Sequence, residues 1–249
     1  VVKVNGIMKR VKQYLKLHPL LCHWSARLLA IIYGLHATRY RLTKKFSCYI
    51  DNTVKVTGWS HVSIGHNTVV AAGSWLNVNV RKDIGPTLII GANCFLGRNN
   101  FITVGKSVVI GDYCLTATNC AFIGSSHNID NPNMPYISTG VNADSEIHIG
   151  ANCFFGYGAM VLGSVSVGYG SVIGAGCIVL KDVPPLSVVI GNPGRVIKRY
   201  SFRHKDWISV NEYVEEPLLS EEEYVNNLRR DAGYHPLPIS AARSTLGDV

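Results

Sequence analysis

The chain of 249 residues is long enough for one or two domains with a sizeable core. Hydrophobic residues make up 47% and charged residues only 16%, which excludes a disordered chain, because so apolar a sequence must bury surface. A net charge of +8 points to an acidic partner, and nucleic acid, an anionic membrane and an acidic glycan are all compatible with it.

Residues 1–50 hold ten Lys and Arg and no Asp or Glu. The sequence begins with Val1, and Met8, ahead of Lys9 and Arg10, is a candidate initiator. Met8 to Tyr40 reads as one or two helices broken at His18-Pro19. Such a segment suits either covering one end of a β-structure or lying on a membrane surface. His23 and Arg27 interrupt the apolar run from Leu20 to Leu35, so no span of about 20 apolar residues exists. Leu28 to Ile32 behind a basic start resembles a signal peptide. No small-x-small cleavage site follows it, however, and Arg39, Arg41, Lys44 and Lys45 come next. The expected location is the cytoplasm, with residues 1–45 able to meet the inner face of a membrane.

From Ile64 an aliphatic residue recurs every six positions. The hexads begin at Ile64, Val70, Leu76; Ile90, Leu96, Ile102; Ile110, Thr116, Phe122; Ile149, Phe155, Val161; and Val167, Ile173, Val179. Thr116 is the single polar start, and Gly follows eight of the fifteen. The fifth position is small: Thr68, Ser74, Cys94, Cys114, Cys120, Ser126, Cys153, Ala159, Ser171 and Cys177. A period of six fits neither a helix nor an alternating strand. It fits a short strand plus a turn, three to a coil, with the aliphatic and the small residue pointing inward and Gly supplying the turn's backbone angles. Coils stacked about 4.8 Å apart make a prism roughly 25–30 Å long, with an irregular coil expected around residues 46–63. Seven cysteines without a Cys-x-x-Cys read as reduced thiols, five of them in the small inward slot.

The period slips in three places. Starts 64 and 90 lie eight residues further apart than one coil requires, 90 and 110 two further, and 110 and 149 twenty-one further. The largest excess forms an excursion of Pro, Asn and Gly from Ser125 to Glu146, as an exposed loop requires. His127 opens this loop, and imidazole is the side chain best suited to exchanging a proton near neutral pH. Asp130, Asp144 and Glu146 are candidates for orienting its ring.

This pattern resembles the hexapeptide-repeat family, whose fold is the left-handed parallel β-helix. The likeness covers residues 64–183, and the handedness comes from the resemblance alone. Sugar and xenobiotic O-acetyltransferases of the family carry their catalytic His where the loop departs, at the place of His127. Val172 to Pro185 is close to the family's final-coil signature, and Gly191-Asn192-Pro193-Gly194-Arg195-Val196-Ile197-Lys198 is similar to its closing Gly-x-Pro-x-Arg-x-Ile-Arg/Lys. The resemblance implies acetyl-CoA as acyl donor, its pantetheine arm held around Gly156, Tyr157, Ala175 and Leu180. Lys181, Arg195 and Lys198 would meet its phosphates.

Two departures stand out. Leu180 replaces the family's Thr or Ser, and Phe154 its Trp. An acceptor-binding Asn is missing at Gly97, and acidic groups are missing at Val104-Gly105; Asn99 and Asn100 are the candidates to take over acceptor contacts.

The expected architecture is mainly β: a basic helical segment over residues 1–45, a left-handed β-helix over 46–198 with an excursion over 125–147, and an extension over 199–249. Ser220 and Glu223 form a capping box opening a short helix through about Arg230. The last dozen residues are expected to be loose. The expected activity is acetyl-CoA-dependent O-acetylation of a sugar in bacterial surface polysaccharide synthesis. His127 would be the general base, in a homotrimer whose grooves lie between adjacent prisms, with no metal required. The alternatives are N-acetylation of an amino sugar, a xenobiotic acetyltransferase, and a non-catalytic binding prism. Carbonic anhydrases of the family hold zinc through three His. His61 and His66 have a suitable spacing, but a third ligand would fall outside any repeat. Serine acetyltransferase is disfavoured, since its long N-terminal helical domain has no counterpart. The charge divides as +10 over residues 1–50, +2 over 51–199 and −4 over 200–249, so no nucleic-acid stripe is expected along the whole protein.

Overall fold

A computed structural model describes residues 48–79 and 85–231. The chain divides into two compact units, residues 1–44 and 45–249, and all described residues lie in the second. The helices read for Met8–Tyr40, the cysteine at position 22 and the tail after residue 231 fall outside the described residues.

Strands of two to four residues stack in parallel into three faces. The first face runs through Tyr49–Ile50, Val69–Val70, Phe95–Leu96, Leu115–Thr116, Phe154–Phe155, Val172–Ile173 and Ser187–Ile190. The second runs through Lys55–Thr57, Trp75–Asn77, Phe101–Thr103, Ala121–Ile123, Met160–Leu162 and Ile178–Val179. The third comprises Val62–Ile64, Leu88–Ile90, Ser107–Ile110, Glu146–Ile149 and Val165–Val167. Each coil visits the three faces in turn, so the chain winds a triangular parallel β-helix. Strands within it pair in register, as Leu76 with Ile102 and Ile102 with Phe122. The hexad starts form its buried columns: Leu76, Ile102, Phe122 and Val161 under the second face, and Ile64, Ile90, Ile110 and Ile149 under the third. Phe122 and Phe155 meet edge to face at 5.0 Å in the middle of this core.

The corners explain the small residues. Between the first and second faces, and between the third and first, the chain turns in four residues, as at Gly156–Ala159 and Gly91–Cys94. The third residue of the turn is left-handed, with φ of 58° at Asn93, 57° at Asn99, 56° at Asn152 and 67° at Gly158, a conformation that Asn and Gly tolerate. The leading Gly serves a purpose other than the expected turn angle. A Cβ on Gly168 would fall 2.3 Å from Pro185 N, and one on Gly97 2.5 Å from Ala117 O. Bare backbone is needed there because the next coil passes directly over it. The fourth residue then donates to a corner carbonyl of the next coil: Thr68 Oγ1 to Gly91 O at 2.7 Å, Cys94 Sγ to Gly111 O at 3.2 Å and Cys114 Sγ to Gly150 O at 3.2 Å. Interaction with the next thiol of the ladder, then burial, holds the Cys94 and Cys114 thiols far above their ordinary range, which makes them packing groups rather than nucleophiles.

Thr116, the polar hexad start, and Asn100, in an inward slot, form one feature. Asn100 donates through Nδ2 to Thr116 Oγ1, and its Oδ1 accepts from Cys120 N at 2.7 Å. Ser126, expected to point inward, is instead exposed, because the chain has already left the coil there.

All three slips of period leave from the corner between the second and third faces, at residues 78–87, 104–106 and 124–145. At the C-terminal end, Ser187–Ile190 pairs antiparallel with Arg195–Ser201, and that strand with Asp206–Ser209. This hairpin covers the edge the last coil would otherwise expose. Helix α1, Glu221–Asp231, opens on the expected capping box: Ser220 Oγ donates to Glu223 Oε2 at 2.7 Å, and Glu223 N to Ser220 Oγ at 3.2 Å. The helix straps the corner between the third and first faces across three coils. Glu221 Oε1 accepts from Ala151 N at 2.6 Å, Tyr224 lies 4.6 Å over Tyr169, and Arg229 pairs with Asp112 at 3.1 Å. Among the described residues no helix is long and apolar enough to cross a membrane.

Candidate active site

The excursion is a β-hairpin rather than a loose loop. Ser126–His127 pairs antiparallel with Val141–Asn142, with His127 opposite Val141. Asn128 Nδ2 donates to Thr139 O at 2.9 Å and Thr139 Oγ1 to Asn128 O at 2.6 Å, which ties the stem shut above His127. The root of the hairpin is clasped on Gly105. A Cβ there would meet Gly124 O at 2.0 Å and Ser145 O at 2.7 Å, and the clasp is closed by Gly124 N to Thr103 O and Lys106 N to Ser145 O. No side chain of any kind fits between the two limbs, which accounts for the missing acidic group at this position.

His127 is exposed. Of the three carboxylates expected to orient it, Glu146 is committed to an ion pair with Lys106. Asp130 and Asp144 are exposed, and neither bonds to the imidazole. The hairpin carries several exposed apolar side chains, Ile137 at 88% and Ile129 at 70% exposure, with Met134, Tyr136 and Val141 also exposed.

Most of the remaining candidates fall on the two edges of the second face. Leu180 and Lys181 share with His127 the corner toward the third face, and both are exposed. Asn99, Gly156, Tyr157 and Ala175 lie on the corner toward the first face. There Gly156 is closed against the next coil, where a Cβ would fall 2.6 Å from Ala175 N. The Tyr157 hydroxyl accepts from Asn119 Nδ2 at 2.9 Å, which fixes an exposed ring on the corner. The two edges are separated by one short strand, about 10 Å at most. Arg195 and Lys198 stand exposed on the terminal hairpin. Asn99 is exposed and lies across Gly73, whose added Cβ would fall 2.1 Å from Asn99 Oδ1. Asn100 does not belong with this set: it is 1% exposed and both ends of its amide are hydrogen-bonded inside the core, so it cannot touch an acceptor.

His61 and His66 occupy two different corners of one coil, His61 within hydrogen-bond distance of Ser60 Oγ at 2.9 Å. Among the described residues no group of three His, Cys, Asp or Glu is placed to hold a metal.

The family described as the hexapeptide repeat of succinyl-transferase matches residues 87–121 and 146–181, the same coils whose corners and columns are set out above. These two stretches carry the hexapeptide repeat. A protein of Staphylococcus aureus (strain COL) named "Putative acetyltransferase SACOL2570" is 45% identical over 67 residues, 27% of this chain and 34% of that protein. The serine acetyltransferase of Buchnera aphidicola subsp. Schizaphis graminum is 41% identical over 70 residues, 27% of each chain. The chain thus spans about a third or less of the length of these curated relatives. Among solved structures, AntD, an N-acyltransferase from Bacillus cereus in complex with dTDP and 3-hydroxybutyryl-CoA, is 15% identical, with a TM-score of 0.55 over 77% of this chain and 96% of that one. A variant of AntD in complex with dTDP-4-amino-4,6-dideoxyglucose and coenzyme A gives 0.54 at 16% identity, over 67% and 91% of the two chains. At these identities the likeness establishes the β-helix fold.

Proposed function

We propose that this chain is an acetyl-CoA-dependent O-acetyltransferase acting on a sugar, in the assembly of a bacterial surface polysaccharide. The observation that carries the reading is His127, exposed at the root of a tied hairpin, on the edge of the second face that it shares with Leu180 and Lys181. His127 removes the proton from an acceptor hydroxyl as that oxygen attacks the thioester carbonyl. A tetrahedral intermediate forms, the carbon–sulfur bond breaks, and the imidazolium returns its proton to the departing thiolate. General base catalysis of this kind contributes roughly 10²–10⁴-fold, and holding both substrates in one groove supplies much of the rest. Gly156, Tyr157 and Ala175 offer backbone and a fixed ring to the pantetheine arm. Lys181, Arg195 and Lys198 offer exposed cations to the phosphates.

The active form in this reading is a homotrimer. Its support is the set of exposed apolar side chains on the hairpin, which a neighbouring prism would cover, and the division of most candidate residues between two edges of one face. Transfer to an amino sugar is the second reading, favoured by the fold likeness to AntD, which was solved with such a sugar nucleotide. Thiol release from acetyl-CoA with hydroxyl and amino sugars separates the two. His127→Ala is expected to abolish turnover while retaining acetyl-CoA binding by calorimetry. Near-normal turnover would refute the assignment.

A further inference from the structure

The outward edge of the second face beside His127 changes polarity where the hairpin leaves. On the C-terminal side its successive positions are Ile123, Leu162 and Leu180, with Ile123 and Leu162 in register. On the N-terminal side they are Thr57, Asn77 and Thr103, again in register, with Thr103 next to Ile123. Asn77 and Thr103 are each 5% exposed although they point away from the core columns. Thr103 Oγ1 lies 2.7 Å from Ser125 Oγ, and Ser125 is half-buried, two residues before His127. Ser125 immediately precedes the strand Ser126–His127, so it and His127 belong to the same limb of the hairpin root. Asn77 Oδ1 is buried with no hydrogen-bond partner, and a buried carbonyl without a donor marks a place where a donor is missing.

We infer that Ser125 determines acceptor specificity, contacting a hydroxyl of the acceptor next to the one that reacts, and that Thr103 and Asn77 are positioning residues behind it. This rests on the proposed transfer to a sugar hydroxyl and adds to it the residue that reads a neighbouring hydroxyl and the side of His127, the N-terminal one, on which the acceptor is met. The hydroxyl pair Thr103–Ser125 can donate or accept, so it matches a hydroxyl of either polarity. A site built to hydrogen-bond a substrate hydroxyl rejects an analogue lacking it far more strongly than an apolar pocket rejects an extra one. The apolar rungs Ile123, Leu162 and Leu180 offer no such contact, which assigns them to the donor's side.

The test is a ratio, which partial unfolding of a variant does not move. Thiol release from acetyl-CoA is followed with methyl α-D-glucopyranoside, methyl α-D-galactopyranoside and cyclohexylmethanol as acceptors, for the full chain and for Ser125→Ala, Thr103→Val and Thr103→Ser. The expected result is a preference in kcat/KM for at least one glycoside over cyclohexylmethanol. Ser125→Ala and Thr103→Val should cut that preference tenfold or more through the acceptor KM, with the acetyl-CoA KM unchanged, and Thr103→Ser should restore it. A preference unchanged in Ser125→Ala, or wild-type transfer to cyclohexylmethanol as fast as to the glycosides, overturns this inference alone. No thiol release with any acceptor, although acetyl-CoA binds, refutes the acyl-transfer reading beneath it.

Discussion

The corners of the prism are of two kinds. Most of those flanking the first face repeat one four-residue design, with a bare Gly under the next coil (Ala71 and Ala117 in two of them), a left-handed third residue that is Asn or Gly except at Tyr113, and a small donor closing onto a neighbouring carbonyl. The corner between the second and third faces follows no design, and every insertion leaves from it. The difference teaches where the chain keeps its stability and where it has room for chemistry. A four-residue corner with its small donor fixed on the next coil cannot lengthen without breaking the stack. The irregular corner also bonds to neighbouring coils, as Gly124 N to Thr103 O, but the chain between such anchors can grow into a hairpin, and His127 stands on that hairpin.

Changes in the regular part should damage the fold most. Phe122→Ala empties the centre of the core and is expected to cost about 3–5 kcal/mol in denaturant unfolding, and a cost under 1 kcal/mol would mean the coils repack freely. Gly168→Ala forces a methyl against Pro185 backbone, with an expected loss of about 1–3 kcal/mol. Its counterpart on the irregular side is Gly140→Ala, where the nearest atom to a new Cβ is Asn128 Nδ2 at 3.9 Å. There only the left-handed backbone resists, so the smaller loss of the two is expected, and equal losses would dissolve the distinction between corners. Asn100→Ala leaves Cys120 N without its acceptor, at about 1–3 kcal/mol, and should leave every kinetic constant of the folded protein alone. A raised acceptor KM would return Asn100 to the site.

The smallest effect concerns the strap. Ser220→Ala removes the cap of helix α1, at about 1 kcal/mol of helix stability. Hydrogen bonding from Ser220 holds the Glu223 carboxyl below the ordinary value of 4.5. Its contribution is therefore present above pH 4.5 and lost as pH falls through the lower folded-state value. Circular dichroism should register a loss of helix on acidification in that window, weaker in Ser220→Ala. An identical acid profile in the variant would show the cap to be idle.

Much of the fold was legible because a period of six has few structural solutions: the hexad starts became the core columns, and the register slips became the insertions. The capping box at Ser220 and Glu223 was legible for the same local reason. What escaped depends on which distant residues the stacking brings together. Asn100 looked available in the sequence and is spent on Thr116 and Cys120. The Gly after each aliphatic looked like a turn residue and is a contact residue. Gly105 reads as one more glycine, although two limbs separated by twenty residues of chain close on it. His127 stands out in the sequence by its place at a broken repeat, whereas the Thr103–Ser125 contact depends on a register that only the folded coils define.

The central claim is that chemistry resides on the irregular corner and stability on the regular ones. The most direct test is thiol release from acetyl-CoA by His127→Ala, measured at a temperature where thermal unfolding shows variant and wild type equally folded. The account predicts a fall in kcat of about 10²-fold or more with an unchanged melting temperature. Turnover within a few-fold of wild type, or a loss that merely tracks unfolding, would contradict it.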